Sequence, residues 1–302
     1  KEKERRAHIA DSLARSWHRS RFGLLDSLVA ANNKDAIAQL DLTIPLDYDS
    51  TEWVLRMLQE KAKAYREQLK KDTQFFEDKN KAVLAPLYRL HNPSKKQMIV
   101  TDITGSMYGY MEQVMLWHAL NFMDNQSKKY VFFNDGDGKP TAAKKIGDTG
   151  GLYFCEGSIK DFKYIIQTIR KGMTNGSGGE YPENDVEALL AAADKCSPAD
   201  ELFLIADNFS PVRDLELMYR LKIPVRIIVC GVEVGGNECW GFNNPKEINE
   251  QYLDLARATG GSVHTIHKDI YNLANTKEGS TISLNGVAYI FENGRFKIQK
   301  KL

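Results

Sequence analysis

Three oxygen-bearing side chains at alternate positions follow a short apolar run in the first half of the chain. Residues 98–100 are apolar, and Asp102, Thr104 and Ser106 come directly after them. Carboxylate and hydroxyl oxygens are hard donors, which suit Mg²⁺ or Mn²⁺ better than a thiophilic metal. The apolar run is typical of a buried strand, and open α/β sheets bind ligands outside the carboxyl ends of their strands. The pattern therefore predicts a metal site at that edge of a sheet.

Two later segments supply further oxygen donors. Residues 202–206 form a second apolar run, which ends in Asp207. Between the two runs lies a glycine-rich loop, in which Gly178 and Gly179 precede Glu180. Glycines allow close approach of the backbone, and Glu180 is expected on the loop before a helix. The candidate metal ligands thus come from three separate loops: Asp102, Thr104, Ser106, Glu180 and Asp207.

The order of these motifs resembles the von Willebrand factor A (VWA) domain family over about residues 96–272. The first loop is similar to the family's Asp-x-Ser-x-Ser metal-ion-dependent adhesion motif, with Thr104 in place of the first serine. Residues 178–183 resemble a Gly-Gly-Asp-x-Pro-Glu form of the second loop, and Asp207 matches the aspartate of the third loop. The resemblance implies that the first-loop residues bind Mg²⁺ (or Mn²⁺) and that Glu180 and Asp207 reach the ion directly or through water.

Glu180 departs from the family pattern, because other members carry threonine in the second loop. If Glu180 occupies that position, three carboxylates would surround the ion together with Asp102 and Asp207. The residual positive charge that attracts an acidic ligand would then be cancelled. We therefore expect a weaker pull on acidic ligands, or a site that is chiefly structural. Asn208 is a smaller departure, since glycine commonly follows the third-loop aspartate.

The resemblance implies a divalent-cation-dependent adhesion or scaffold module that binds another protein, not an enzyme. Tyr108, Tyr181 and Phe209 lie on the three metal loops, and we expect them to contact that partner. One alternative is an intracellular scaffold that works with an ATPase partner, with the N-terminal helices as a docking arm. Another is a metal-dependent hydrolase, for which the chain offers no convincing base. A third is a degenerate site that binds no metal.

Composition limits the remaining functional classes. The chain has 302 residues, of which 42% are hydrophobic and 27% charged, and a formal net charge of +1. These values are ordinary for a globular protein. The small net charge produces no overall electrostatic attraction to nucleic acid or to a membrane surface. No apolar stretch approaches the ~20 residues that span a bilayer. The chain lacks an initial Met and a signal-like segment, so we expect a processed or shortened form; the resemblance alone favours an extracytoplasmic location.

Hydrophobic periodicity divides the chain into three parts. Residues 1–95 are expected to be a helical extension, and the apolar stripe of its long helix is more typical of core than of a cofactor site. Residues 96–275 alternate between strand and helix. This alternation indicates an α/β domain with a doubly wound, mostly parallel sheet and helices on both faces. Within that domain, a helix is expected over residues 212–221.

Residues 276–302 change to an antiparallel pattern. Asn285-Gly286 and Asn293-Gly294 each lie between short apolar segments. Asn-Gly is a strong signal for the type I′ turn of a β-hairpin. We therefore expect a small β-meander, either packed on the main domain or used as a contact edge.

Overall fold

A seven-stranded sheet is the centre of the structure, a computed structural model that describes residues 24, 27–39, 51–71, 81–92, 94–122, 128–157, 162–176, 182–195, 199–232 and 246–299. The strand order is β3-β2-β1-β4-β5-β6-β7. Its strands are β1 (Gln97–Asp102), β2 (Lys128–Phe133), β3 (Leu152–Gly157), β4 (Glu201–Asp207), β5 (Val225–Cys230), β6 (Ser262–His264) and β7 (Asp269–Ile270).

Most neighbouring strands in this sheet are parallel, which confirms the predicted α/β class. Two pairs are antiparallel, namely β2–β3 and β6–β7. A parallel pair needs a long crossover connection, usually an α-helix. Residues 134–151, which connect β2 to β3, form only a short 3₁₀ turn at Thr141–Ala143. The chain therefore returns to the sheet in the opposite direction at β3.

The helices and the strands together form two hydrophobic clusters, and alternate residues of a strand belong to different clusters. One cluster contains Phe203 and Ile205 of β4, and the other contains Leu202 and Leu204. Because successive strand side chains point to opposite faces, the two clusters lie on the two sides of the sheet. The α-helices with both ends inside the described residues are α1 (Lys34–Gln39), α2 (Thr51–Lys71), α3 (Leu84–Leu90), α4 (Met111–Phe122), α5 (Phe162–Thr174), α6 (Asp185–Lys195) and α7 (Glu250–Thr259).

The N-terminal helices pack on one face of the sheet. Met57, Leu58, Ala62 and Tyr65 of α2 are buried in the same cluster as residues of α3, α4 and α5. These side chains belong to the apolar stripe predicted for this helix, and the structure places them in the core as expected. None of the helices among the described residues is both long enough and apolar enough to cross a bilayer.

The helix predicted over residues 212–221 is shorter and tighter in the structure. A 3₁₀ helix spans Leu215–Arg220. Val212 instead pairs with Glu183 in an isolated parallel bridge, and the N–H of Arg213 donates to the Glu183 carbonyl at 2.6 Å. This extended pairing takes the residues that would have formed the first helical turn.

The C-terminal meander is confirmed as a three-stranded antiparallel sheet. Its strands are β8 (Thr281–Leu284), β9 (Val287–Glu292) and β10 (Arg295–Ile298), in the order β10-β9-β8. Asn285 and Gly286 have φ angles of 53° and 80°, so both have the positive φ that a type I′ turn requires. Phe291 and Phe296 are buried in the hydrophobic cluster that contains residues of α7. The meander is therefore packed on the main sheet's helical layer.

Candidate metal centre

Asp102 and Asp207 end two neighbouring parallel strands, β1 and β4. From β1 the chain continues to β2 on one side of that strand, and later returns at β4 on its other side. Loops that leave the sheet at such a switch of direction diverge, and the crevice between them is where open α/β sheets bind ligands. The two aspartates thus lie at the edge that the sequence predicted for them.

Three carboxylates converge at this edge. Asp102, Glu183 and Asp207 each provide an oxygen atom that lies within 4.8 Å of those of the other two. Their side chains belong to residues that are 0%, 4% and 5% exposed, respectively. Buried like charges at this separation repel one another unless a counter-charge or protons compensate them. A single cation between the three carboxylates would provide that counter-charge.

Two hydroxyls connect the first loop to the other carboxylates. Thr104 Oγ1 donates a hydrogen bond to Glu183 Oε1 at 2.9 Å. Ser106 Oγ donates to Asp207 Oδ2, and the two hydroxyl oxygens are 3.2 Å apart. Asp102 Oδ1 accepts from the Thr104 N–H at 2.7 Å, whereas Asp102 Oδ2 is buried and has no hydrogen-bond partner. That oxygen is available for a ligand.

The third loop fixes the other oxygen of Asp207. Asp207 Oδ1 accepts from the N–H groups of Phe209 and Ser210 at 2.5 and 3.0 Å. Ser210 Oγ donates to Glu183 Oε1 at 3.1 Å, and Tyr252 OH donates to the Asp207 carbonyl at 3.1 Å. The local Asx-type turn and these cross-loop contacts hold Asp207 in one orientation.

The electrostatics of the cluster are strongly acidic. Burial, with a contribution from the charge of Asp207, raises the pKa of Asp102 to about 7. Burial and the charges of Asp102 and Asp207 place the pKa of Glu183 well above its ordinary value. Asp185, on the first turn of α6, is 1% exposed, and neither of its carboxylate oxygens has a partner. Burial and the charge of Asp102 raise its pKa as well. Carboxylates in this setting favour a proton or a cation.

The structure brings together four of the five predicted metal ligands. Asp102, Thr104, Ser106 and Asp207 lie in one cluster, as described above. The fifth, Glu180, lies outside the described residues, as does the predicted partner contact Tyr181. Within the described part of the second loop, Glu183 provides a carboxylate that contacts the cluster.

Sequence reasoning missed Glu183, although it closes the same segment that supplied Glu180. Its N–H donates to the Pro211 carbonyl at 2.9 Å, and its carbonyl accepts from Arg213. This pairing fixes Glu183 beside the third loop. The available signal was the acid that follows Pro182 and precedes a predicted helix, but nothing local indicated that its side chain points inward.

The two other predicted partner contacts flank the cluster. Tyr108 lies in a 3₁₀ helix, Gly105–Tyr110, and is 48% exposed. Its hydroxyl donates to the Met173 carbonyl at 3.4 Å. Phe209 follows Asp207 by two positions and is partly buried. Both rings are therefore beside the first and third loops, and their role in binding stays a prediction.

A buried ion network supports the second loop from the β2–β3 connection. Asp135 Oδ2 contacts Lys144 Nζ at 2.5 Å, and Asp135 Oδ1 contacts Arg213 Nη2 at 2.9 Å. The side chains of Lys144 and Asp135 are 0% and 1% exposed. Arg213 Nη2 also donates to the Pro182 carbonyl at 2.5 Å. The network thereby fixes the residue that precedes Glu183.

A serine, a histidine and an aspartate are hydrogen-bonded in series elsewhere in the sheet. Ser262 Oγ is 2.6 Å from His264 Nε2, and His264 Nδ1 is 2.8 Å from Asp269 Oδ1. Ser262 also accepts from Arg226 at 2.9 Å, and Asp269 from Arg89 at 2.9 Å. Ser262 and His264 are each 0% exposed. Burial lowers the pKa of His264, and the series is a buried contact within the sheet.

Comparison with known proteins identifies no relative of this chain. Comparisons with models of protein families, with curated proteins and with solved structures found no match to this chain. The resemblance to the VWA family therefore stays a prediction from the motifs at Asp102, residues 178–183 and Asp207.

Proposed function

We propose that this chain is a divalent-cation-dependent protein-binding module of VWA type. Asp102, Glu183 and Asp207 would hold the ion, together with the hydroxyl oxygens of Thr104 and Ser106. The observation that supports this proposal most is the convergence of three buried carboxylates within 4.8 Å of one another. A doubly wound sheet of VWA type is compatible with the strand order and with helices on both faces.

The donor set suits a hard divalent cation. Every candidate ligand atom is a carboxylate or hydroxyl oxygen, which is what Mg²⁺ and Mn²⁺ prefer. The hydroxyls of Thr104 and Ser106 donate hydrogen bonds to Glu183 and Asp207. The lone pairs of the two hydroxyl oxygens therefore remain free to bind an ion. The unpartnered Asp102 Oδ2 is a further ligand atom. Because three carboxylates would surround a bound divalent ion, its pull on an acidic group of the partner would be weak.

A protein partner is favoured by the surroundings of the cluster. The half-exposed ring of Tyr108 and the partly buried ring of Phe209 lie next to the metal loops. Aromatic side chains at the rim of a polar centre provide apolar contact area that protein interfaces use. The alternative of an ATPase scaffold docked through the N-terminal helices has less support, because Met57, Leu58 and Tyr65 of α2 are buried in the core.

Cation titration tests the proposal directly. Mg²⁺ and Mn²⁺ would be titrated into chelator-treated parent protein and into Asp102→Ala, and the heat and thermal stability followed. A matched control is Asp148→Ala, which removes an exposed aspartate from the β2–β3 connection. We expect saturable binding to the parent and to the control, and none to Asp102→Ala. Absence of binding to the parent would overturn the proposal.

A further inference from the structure

The C-terminal meander is fixed to α7. Asp254 on α7 accepts a hydrogen bond from the Phe296 N–H at 2.7 Å. The Arg257 guanidinium, also on α7, lies 4.1 Å from the centroid of the Phe291 ring. Phe291 and Phe296 are 3% and 1% exposed, and their ring centroids are 5.0 Å apart. The meander and α7 therefore form one packed layer, so a displacement of one would be transmitted to the other.

Tyr289 connects the meander to the segment that precedes α7. Its side chain lies in the middle of β9 and is 0% exposed. Its hydroxyl oxygen accepts a hydrogen bond from the Ile248 N–H at 2.6 Å. Ile248 is followed by Asn249, the residue that caps the N-terminus of α7 by accepting from the Gln251 N–H. Tyr289 thus fixes the backbone immediately before the helix.

The same segment is bonded to the third metal loop. Asn208 Nδ2 donates to the Glu247 carbonyl at 2.7 Å, and Asn208 Oδ1 accepts from the Asn249 N–H at 2.8 Å. Asn249 Nδ2 donates to the Ser210 carbonyl at 3.0 Å. Three hydrogen bonds therefore join residues 247–249, which Tyr289 fixes, to Asn208 and Ser210 of the third metal loop.

The last step reaches the candidate ligands themselves. The Ser210 N–H donates to Asp207 Oδ1 at 3.0 Å, and Ser210 Oγ donates to Glu183 Oε1 at 3.1 Å. From α7, Tyr252 OH donates to the Asp207 carbonyl. A continuous series of hydrogen bonds thus runs from the meander to two of the three carboxylates.

We propose that the C-terminal meander positions the third metal loop through Tyr289, so that cation binding and the stability of the meander are coupled. This inference rests on the proposed cation-binding function. Removal of the Tyr289 hydroxyl leaves the buried Ile248 N–H without its acceptor. Residues 247–249 then lose one of the contacts that fix them, and Asp207 is held less firmly. Because coupling between two sites is reciprocal, a bound cation must in turn stabilise the meander.

The first test compares Mg²⁺ affinity in the parent, in Tyr289→Phe and in Tyr130→Phe. Phenylalanine keeps the ring packing in both variants. Tyr130 is a matched control, because it is equally buried but lies on β2 in the other hydrophobic cluster. We expect Tyr289→Phe to weaken Mg²⁺ binding roughly five-fold or more, the lower range of ordinary coupling between sites. Tyr130→Phe should bind Mg²⁺ as the parent does.

The second test needs no variant of Tyr289, so it decides the question even if Tyr289→Phe fails to fold. Amide hydrogen exchange of the parent is measured with and without Mg²⁺. We expect Mg²⁺ to slow exchange in β9 and β10, and to have no such effect in Asp102→Ala. Mg²⁺ binding to the parent with unchanged exchange, or with equal affinity in a folded Tyr289→Phe, would overturn this inference alone. Failure of the parent to bind Mg²⁺ would overturn the proposed function and this inference with it.

Discussion

The Thr104 hydroxyl donates a hydrogen bond to the Glu183 carboxylate at 2.9 Å, although the two residues are 79 positions apart in the chain. This contact joins the loop after β1 to the loop before α6. It also brings the Glu183 carboxylate next to Asp102 and Asp207.

Replacement of Glu183 should have opposite effects on Mg²⁺ binding and on the stability of the ion-free protein. Glu183→Gln keeps the size of the side chain, removes one ligand charge and should strongly weaken Mg²⁺ binding. In chelator-treated protein at pH 8, the same change should raise the free energy of unfolding, because burial and the charges of Asp102 and Asp207 disfavour the charged form of Glu183 and raise its pKa. Calorimetric titration and urea unfolding measure the two effects.

Glu180→Gln is the matched comparison for Glu183→Gln. If Glu183 is the second-loop ligand, Glu180→Gln should retain Mg²⁺ affinity within a few-fold of the parent. Loss of binding in Glu180→Gln with retention in Glu183→Gln would show that the assignment of the second-loop ligand is wrong.

Stability of the chelator-treated protein should fall as the pH rises from about 4 to about 7. The pKa of Asp102 is about 7 in the folded chain, against 3.8 for the free side chain. Between these values the folded chain holds a proton that the unfolded chain releases, so each rise in pH disfavours folding. Asp102 lowers the free energy of unfolding by at most about 4 kcal/mol. Above pH 7 this contribution no longer changes with pH. Urea unfolding at pH 5, 6, 7 and 8 measures this slope.

Saturating Mg²⁺ should flatten that slope, because the ion stabilises the charged carboxylates and competes with protons for them. Mg²⁺ affinity should accordingly increase as the pH rises toward 7. Asp102→Asn should reduce the slope without added ion. A slope of the same size in Asp102→Asn and the parent would contradict the assignment of this pH dependence to Asp102.

The ion network under the second loop should be important for stability. Asp135→Asn removes one counter-charge from the buried Lys144 ammonium, and the loss of one partner of a buried pair typically costs about 3–5 kcal/mol. We also expect weaker Mg²⁺ binding, since Arg213 would fix Pro182 less firmly. Urea unfolding is the measurement.

An exposed ion pair provides the control for that network. Glu60 and Lys63 lie on the surface of α2, where the Lys63 side chain is 57% exposed. Glu60→Gln should change the free energy of unfolding by less than about 1 kcal/mol. Similar small effects of Asp135→Asn and Glu60→Gln would mean that the buried network does not support the loop.

Partner binding should depend on the aromatic side chains at the metal loops. A partner recovered with Mg²⁺ and released by chelator would be tested against Tyr108→Ala and Phe209→Ala. Truncation of an aromatic contact near the centre of an interface commonly costs more than about 1.4 kcal/mol, which is tenfold in affinity. Tyr219, which is 60% exposed on the 3₁₀ helix Leu215–Arg220, provides the control. Equal affinity of the parent and both loop variants would contradict the proposed contact surface.

Local sequence patterns were sufficient for much of the fold. The apolar runs before Asp102 and Asp207 predicted the two central strands, and the strand edge at which both acids lie. Asn285-Gly286 predicted a hairpin, because few other dipeptides accept positive φ at both turn positions. These features depend on neighbouring residues alone, so they can be read without knowledge of the fold.

The tertiary structure decided that Glu183 faces the cluster. Glu180 and Glu183 are equally acidic in sequence, and the glycine-rich segment around them has no periodicity that indicates direction. Glu183 points inward because it pairs with Val212 and accepts from Thr104. The antiparallel β3, the 3₁₀ turn in place of a helix after Val212, and the series from Tyr289 to Asp207 likewise depend on contacts between distant segments. Sequence by itself determined most of the strands and helices and the type of donor atom, whereas long-range hydrogen bonds selected the residues that meet.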